Sequence, residues 1–155
     1  MQRVIVILNG APQVCPLLSN QTAESIAASY GVTDPSLYQE FAESDFDDAC
    51  YGYSNAFTLS NGVVGFDLDK AKQLADGIVN AQSNEAAKKT LEGLSYDVYI
   101  AQSSLPADQR IAKYQSAIDA NNAIALETEQ REQAIYAATT IEEVNAIVYP
   151  PKSES

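Results

Sequence analysis

Glu43, Asp45, Asp47 and Asp48 stand around Phe46 and form a tight group of carboxylates. Such a group is what a cation loop or an acid–base pair would need. A calcium loop places oxygen ligands at alternating positions, Gly at the sixth place and Glu at the twelfth. Counted from Asp45, those places hold Cys50 and Ala56, so the stretch reads as a solvated acidic turn. Paired carboxylates for glycosyl transfer have no fixed spacing, and acids alone therefore assign no activity. The chain has no His, the side chain most used for proton transfer near neutral pH. Cys15 and Cys50 lie far apart, outside any CxxC pair, and read as two small half-buried thiols. No GxxxxGK, GxGxxG or GxSxG occurs to cradle a phosphate or raise a nucleophile. Tyr51-Gly52-Tyr53-Ser54-Asn55 has the composition of an adaptable contact loop or of a plain turn. The expectation is no catalytic residue, no cofactor and no metal.

Charge narrows the partners. With nine basic and 21 acidic residues the net charge is −12, which repels nucleic-acid backbones and anionic lipid surfaces. No stretch approaches the ~20 apolar residues of a membrane span, and the VIVIL run near the N-terminus is too short for a secretion signal. Synthesis in a cytosol, with no nucleic acid and no membrane as partner, is expected. At 155 residues and 46% hydrophobic content the chain can bury one sizeable core, with or without a helical extension.

The elements that would position these groups follow in order. Val4 to Leu8 is β-branched and runs into Asn9-Gly10, a pair suited to a two-residue hairpin turn. Gln13 to Leu17 returns as a short or edge strand, because Pro12 and Pro16 lack ladder donors. Ser19 or Asn20 can cap a helix carrying Ile26, Ala27 and Tyr30 and ending at Gly31. Asp34-Pro35 restarts a helix with Leu37, Tyr38 and Phe41 on it. Ala56 to Phe66 repeats the hairpin through Asn61-Gly62. Asp67 or Asp69 then caps a helix whose Leu68, Ala71, Ala75, Ile78 and Val79 share one face. Asn84 marks a bend, after which residues 85–104 continue helical, with Gly93 a weak point.

Leu105 to Tyr149 is the longest stretch of one preference. A helix over Ala107 to Ala138 would extend roughly 48 Å, more than a small core needs. Its stripe of Ile111, Tyr114, Ile118 and Ala125 is interrupted at Asn121-Asn122, where a kink, a break or a register-fixing polar seam can stand. Thr140 and Glu143 form a capping box that opens a last helix with Val144, Ile147 and Val148. The fold class is thus α+β: N-terminal β-hairpins with short helices at 1–66, a mainly helical region at 67–149 with a long helix or helical hairpin, and a polar tail at 150–155.

Ala137-Ala138-Thr139-Thr140, Glu142-Glu143, Ala146-Ile147 and Tyr149-Pro150 match the pattern AATTxEELxAI followed by Trp-Pro. This resembles the C-terminal ends of bacteriophage tail proteins, namely small tail-fibre or tail-tip components and fibre-assembly chaperones. Phe66-Asp67-Leu68-Asp69-Lys70-Ala71-Lys72 resembles the FDxxKAK helix start of the same group. Tyr149 stands where Trp is usual, and the group's YRqaLRD helix is only hinted at by Tyr114 to Asp119. The resemblance spans about residues 56–151 and rests on capping and packing motifs. It implies a non-enzymatic protein that binds a phage tail-fibre or baseplate component, with self-association as a further option, and that resides in the virion tail or acts there as a chaperone. The expected partner contacts are Val4 and Val6 on the hairpin, Tyr51 and Tyr53 in the Tyr-rich loop, Tyr114, Ile118 and Ile135 on the arm, and Tyr149 at its end. An acidic module that inhibits a basic host protein is the first rival reading, and an acid-based hydrolase the second.

Overall fold

Val4, Ile5 and Val6 are each fully buried, so the strand that carries them must be covered on both faces, since successive side chains point to opposite sides. A computed structural model, which describes residues 1–152, shows how. The expected polar tail, 150–155, lies partly outside those residues. Strands β1 (Gln2–Leu8), β2 (Ala11–Leu17) and β3 (Tyr38–Ala42) form an antiparallel sheet in the order β2-β1-β3. One face carries Val4 and Val6, packed with Leu8, Cys15, Leu17 and Tyr38 against Ile26 and Ala27 of helix α1 (Ala23–Ser29) and against Val32. The other carries Ile5, with Arg3 and Phe41, which stand opposite each other. Here the rings of Phe41, Phe46, Phe57 and Phe66 pack at centroid distances of 5.1 to 5.9 Å.

Both hairpins form as expected. Asn9 and Gly10 have φ of 52° and 80°, and Asn61 and Gly62 have 51° and 74°, the paired positive values that a two-residue turn with right-handed strand twist requires. The second hairpin, β4 (Phe57–Ser60) with β5 (Val63–Phe66), sets β4 against β1 and β2 and β5 against β3. Two expectations in this region are corrected. The cap of α1 is Thr22, which exchanges hydrogen bonds with Ser25, because Leu18 and Gln21 first close a turn of their own. Asp34-Pro35 opens only a single 3-10 turn, and Tyr38 to Phe41 is strand instead of helix. Pairing with the open side of β1 outweighs local preference, and it sends Tyr38 and Phe41 to opposite faces.

The chain divides into two compact units, Met1–Ala75 with the segment from Ala138 onward, and Asp76–Ala137. The division therefore falls inside helix α2 (Leu68–Thr90) rather than at residue 66, and the last helix, α5 (Ile141–Val148), belongs with the strands. Ile141, Val144 and Val148 are buried at helical spacing, and α5 packs on the 3-10 segment Asp48–Ala56. Its capping box is reciprocal: Glu143 N–H donates to Thr140 Oγ1 at 3.3 Å, while Glu143 Oε2 accepts from Thr140 N at 3.3 Å and Thr139 N at 2.7 Å.

In the second unit α2 continues without a break past Asn84 and ends before Gly93, whose φ is 75°. Helix α3 (Tyr96–Ser103), capped by Ser95, follows. The long arm then begins at Ala112, not Ala107, as α4 (Ala112–Ala137). Residues 104–111 are held in a turn by Arg110, which donates to Leu105 O at 2.8 Å and Ser103 O at 3.2 Å and so satisfies carbonyls at the end of α3. Helices α2 and α4 are antiparallel, as the pairs Asp76–Tyr136, Gln82–Arg131, Ser83–Thr128 and Thr90–Asn121 show by their order. Asn121 is the polar seam position: its Oδ1 accepts from Thr90 Oγ1 at 2.9 Å and its Nδ2 donates to Tyr99 OH at 3.1 Å.

Candidate protein-interaction surface

Interaction surfaces depend on what side chains the core leaves outside. Of the eight expected contact residues, Val4, Val6, Tyr53, Tyr114, Ile118 and Ile135 are buried by the chain's own contacts. Their apolar periodicity marked the core faces of β1 and α4. Val4 and Val6 also sit on the central strand, so the N-terminal strand has no edge to lend. Tyr53 is turned inward with its OH 3.5 Å from Asn145 Oδ1, and Tyr114 OH accepts from Ser95 N–H at 3.3 Å. Tyr51 is half-buried. Its ring lies 4.3 Å from the Arg3 guanidinium carbon and its OH donates to Glu43 O at 2.7 Å. Of the eight, only Tyr149 is largely exposed, at 57%.

The apolar groups left outside in the second unit are others. On α3 Ile100 is 46% exposed; Ile111, just before α4, is 50% exposed, and Leu126, in the middle of α4, is 57% exposed. Sequence periodicity gave no separate signal for them, since each also fits a helical stripe. Which stripe faces inward was decided by the pairing of α2 with α4.

The acidic turn is partly neutralised. Glu43 forms an ion pair with Arg3 through Nε at 2.9 Å and through Nη2. Asp47 hydrogen-bonds Glu142 at the start of α5; this contact pushes the Asp47 carboxyl up from its ordinary value and holds that of Glu142 down. Among the described residues no group of three or more His, Cys, Asp or Glu is placed to hold a metal ion. Both cysteines are free thiols, Cys15 half-buried and Cys50 buried. Burial, with Asp47 and Glu142 nearby, pushes the Cys50 thiol up to about 11. No helix among the described residues is long and apolar enough to cross a membrane.

A groove of about 510 Å³ lies between β3 and β5. Gln39, Glu40 and Phe41 form one wall, Val63 and Val64 the other, with Asp45 and Phe46 at one end. Nothing in the sequence pointed to it, because β3 itself was read as helix. Comparison with protein-family models, with curated proteins and with solved structures finds no match to this chain.

Proposed function

We propose that this chain is a non-enzymatic phage tail protein, a small structural component or a fibre-assembly chaperone, that binds a tail-fibre or baseplate protein. The observation that carries the protein-binding reading is the set of half-exposed apolar side chains on the helical segment, Ile100, Ile111 and Leu126. Burying such groups on a partner supplies a salt-insensitive driving force. The phage assignment rests on the terminal motif from Ala137 to Pro150 and on the Phe66–Lys72 helix start.

Co-expression with fibre and baseplate proteins, followed by size-exclusion chromatography, tests the reading. A stable complex that Leu126→Glu and Ile111→Lys weaken is expected. A tight monomer that retains no tail protein overturns it. Mass spectrometry of purified particles then separates a resident component from a chaperone. The net charge of −12 favours the rival reading, an inhibitor of a basic host protein, and that reading requires binding that collapses with added salt.

A further inference from the structure

The two edges of the three-stranded sheet differ in what they offer an incoming strand. Two-residue turns fix the pairing parity, so in β2 the residues opposite Leu8, Val6 and Val4 face the ladder, while Pro12, Val14 and Pro16 face outward. Two of the three outward positions on that edge therefore lack an N–H. Strand addition there is blunted by the prolines themselves.

The β3 edge is different. Glu43 N–H donates to Met1 O at 3.0 Å, which sets Phe41 and Gln39 as the residues bonded to β1 and turns the backbone groups of Glu40 and Ala42 outward. Two of these outward groups, Glu40 O and Ala42 N–H, are met by side chains that imitate a neighbouring strand. The Gln39 amide donates to Glu40 O at 3.1 Å, and the Asp45 carboxylate accepts from Ala42 N–H at 3.3 Å. One side chain thus stands where an incoming amide would be, the other where an incoming carbonyl would be. Both contacts lie at the long end of hydrogen-bond distances, and both residues line the groove beside β5.

The geometry points to this groove as a docking site for an extended segment of a partner protein that adds to the β3 edge, displaces Gln39 and Asp45 from it, and alternates basic with apolar side chains. The edge supplies backbone pairing, as in strand addition generally. Charge selects the occupant: Glu40 and Asp45 line the groove and no Lys or Arg does. Val63, 68% exposed, and Val64 on the opposite wall take the apolar side chains. This inference stands apart from the phage reading, which places its contacts on the helical segment.

The probe is a blocked nine-residue peptide alternating Lys and Val, added to the full chain and followed by amide hydrogen exchange and two-dimensional NMR. Protection of the Glu40 and Ala42 amides should rise by about tenfold or more, while Phe41, already paired to β1, stays unchanged. The same peptide N-methylated at alternate residues, or carrying Glu in place of Lys, should fail to bind. Glu40→Lys should weaken binding about tenfold while leaving the thermal transition in place. Loss of the alternation, equal binding of the N-methylated peptide, undiminished binding to Glu40→Lys, or no binding at all overturns the proposal. In the last case Gln39 and Asp45 serve only to seal the edge.

Discussion

Thr140 and Glu143 hold the start of α5 by reciprocal hydrogen bonds, and each can be tested alone. Thr140→Ala removes the acceptor for Glu143 N–H and should lower the unfolding free energy by about 1 kcal/mol, whereas Thr140→Ser should cost little. Urea denaturation of the three proteins reads this directly. The Glu143 carboxyl is held below its ordinary value of 4.5, chiefly by the backbone N–H of Thr139 and then of Thr140. A carboxyl with a depressed folded-state pKa contributes stability that is complete above its unfolded value and is lost as pH falls through the folded one. Glu143→Gln should therefore lower stability most above pH 4.5, where the carboxylate's contribution is complete, and flatten the fall below it, in melts taken across the acid range. The thiols separate by the same reasoning. Cys50, buried and pushed up to about 11, should resist a thiol reagent in the native protein at about pH 8, while half-buried Cys15 reacts. Two thiols reacting at equal rates without denaturant would contradict this placement.

At the scale of elements, the hairpin turns and the helical seam make different demands. Asn9 holds a positive φ that a β-branched side chain resists, so Asn9→Val should destabilise by about 1–2 kcal/mol, read by thermal or chemical denaturation. The seam is a matter of pairing. Thr90 and Asn121 join α2 to α4 through one hydrogen bond, and Asn121 also holds Tyr99 of α3. A double-mutant cycle with Thr90→Val and Asn121→Leu should return a coupling of about 1 kcal/mol. Thr90→Val should cost more than its share, since it strips the donor from the Asn121 Oδ1, whereas after Asn121→Leu the Thr90 hydroxyl still donates to Ala87 O at 2.7 Å. Additive effects would mean that the bond adds nothing to register. Turn and cap positions of these elements were readable because each signal is contained in two to four residues. Asn9-Gly10, Asn61-Gly62, Asp67 and Thr140 acted where they were expected. The strand β3 was not readable, because Tyr38 to Ala42 carries no strand signal of its own and is recruited by the unpaired side of β1.

Across the whole molecule, the net charge of −12 opposes compaction through self-repulsion. Screening it, from about 0.02 M to about 0.5 M salt, should raise the melting temperature by about 3 °C in calorimetry. A fall would show that specific ion pairs such as Arg3–Glu43 outweigh the net repulsion. The α+β class, both hairpins, the capped last helix and the polar interruption at Asn121 can be read from the chain alone, since all are products of local dihedral preference, capping and periodicity. Long-range packing made Val4, Val6, Tyr114, Ile118 and Ile135 core instead of contact surface. It also decided that α5 joins the strands, and that Pro12 and Pro16 close one sheet edge while Gln39 and Asp45 hold the other. An apolar stripe states that a face will be buried, not against what. That choice is made by contacts between residues distant in the chain, of which the pairing of Tyr38 to Ala42 with β1 is the clearest instance.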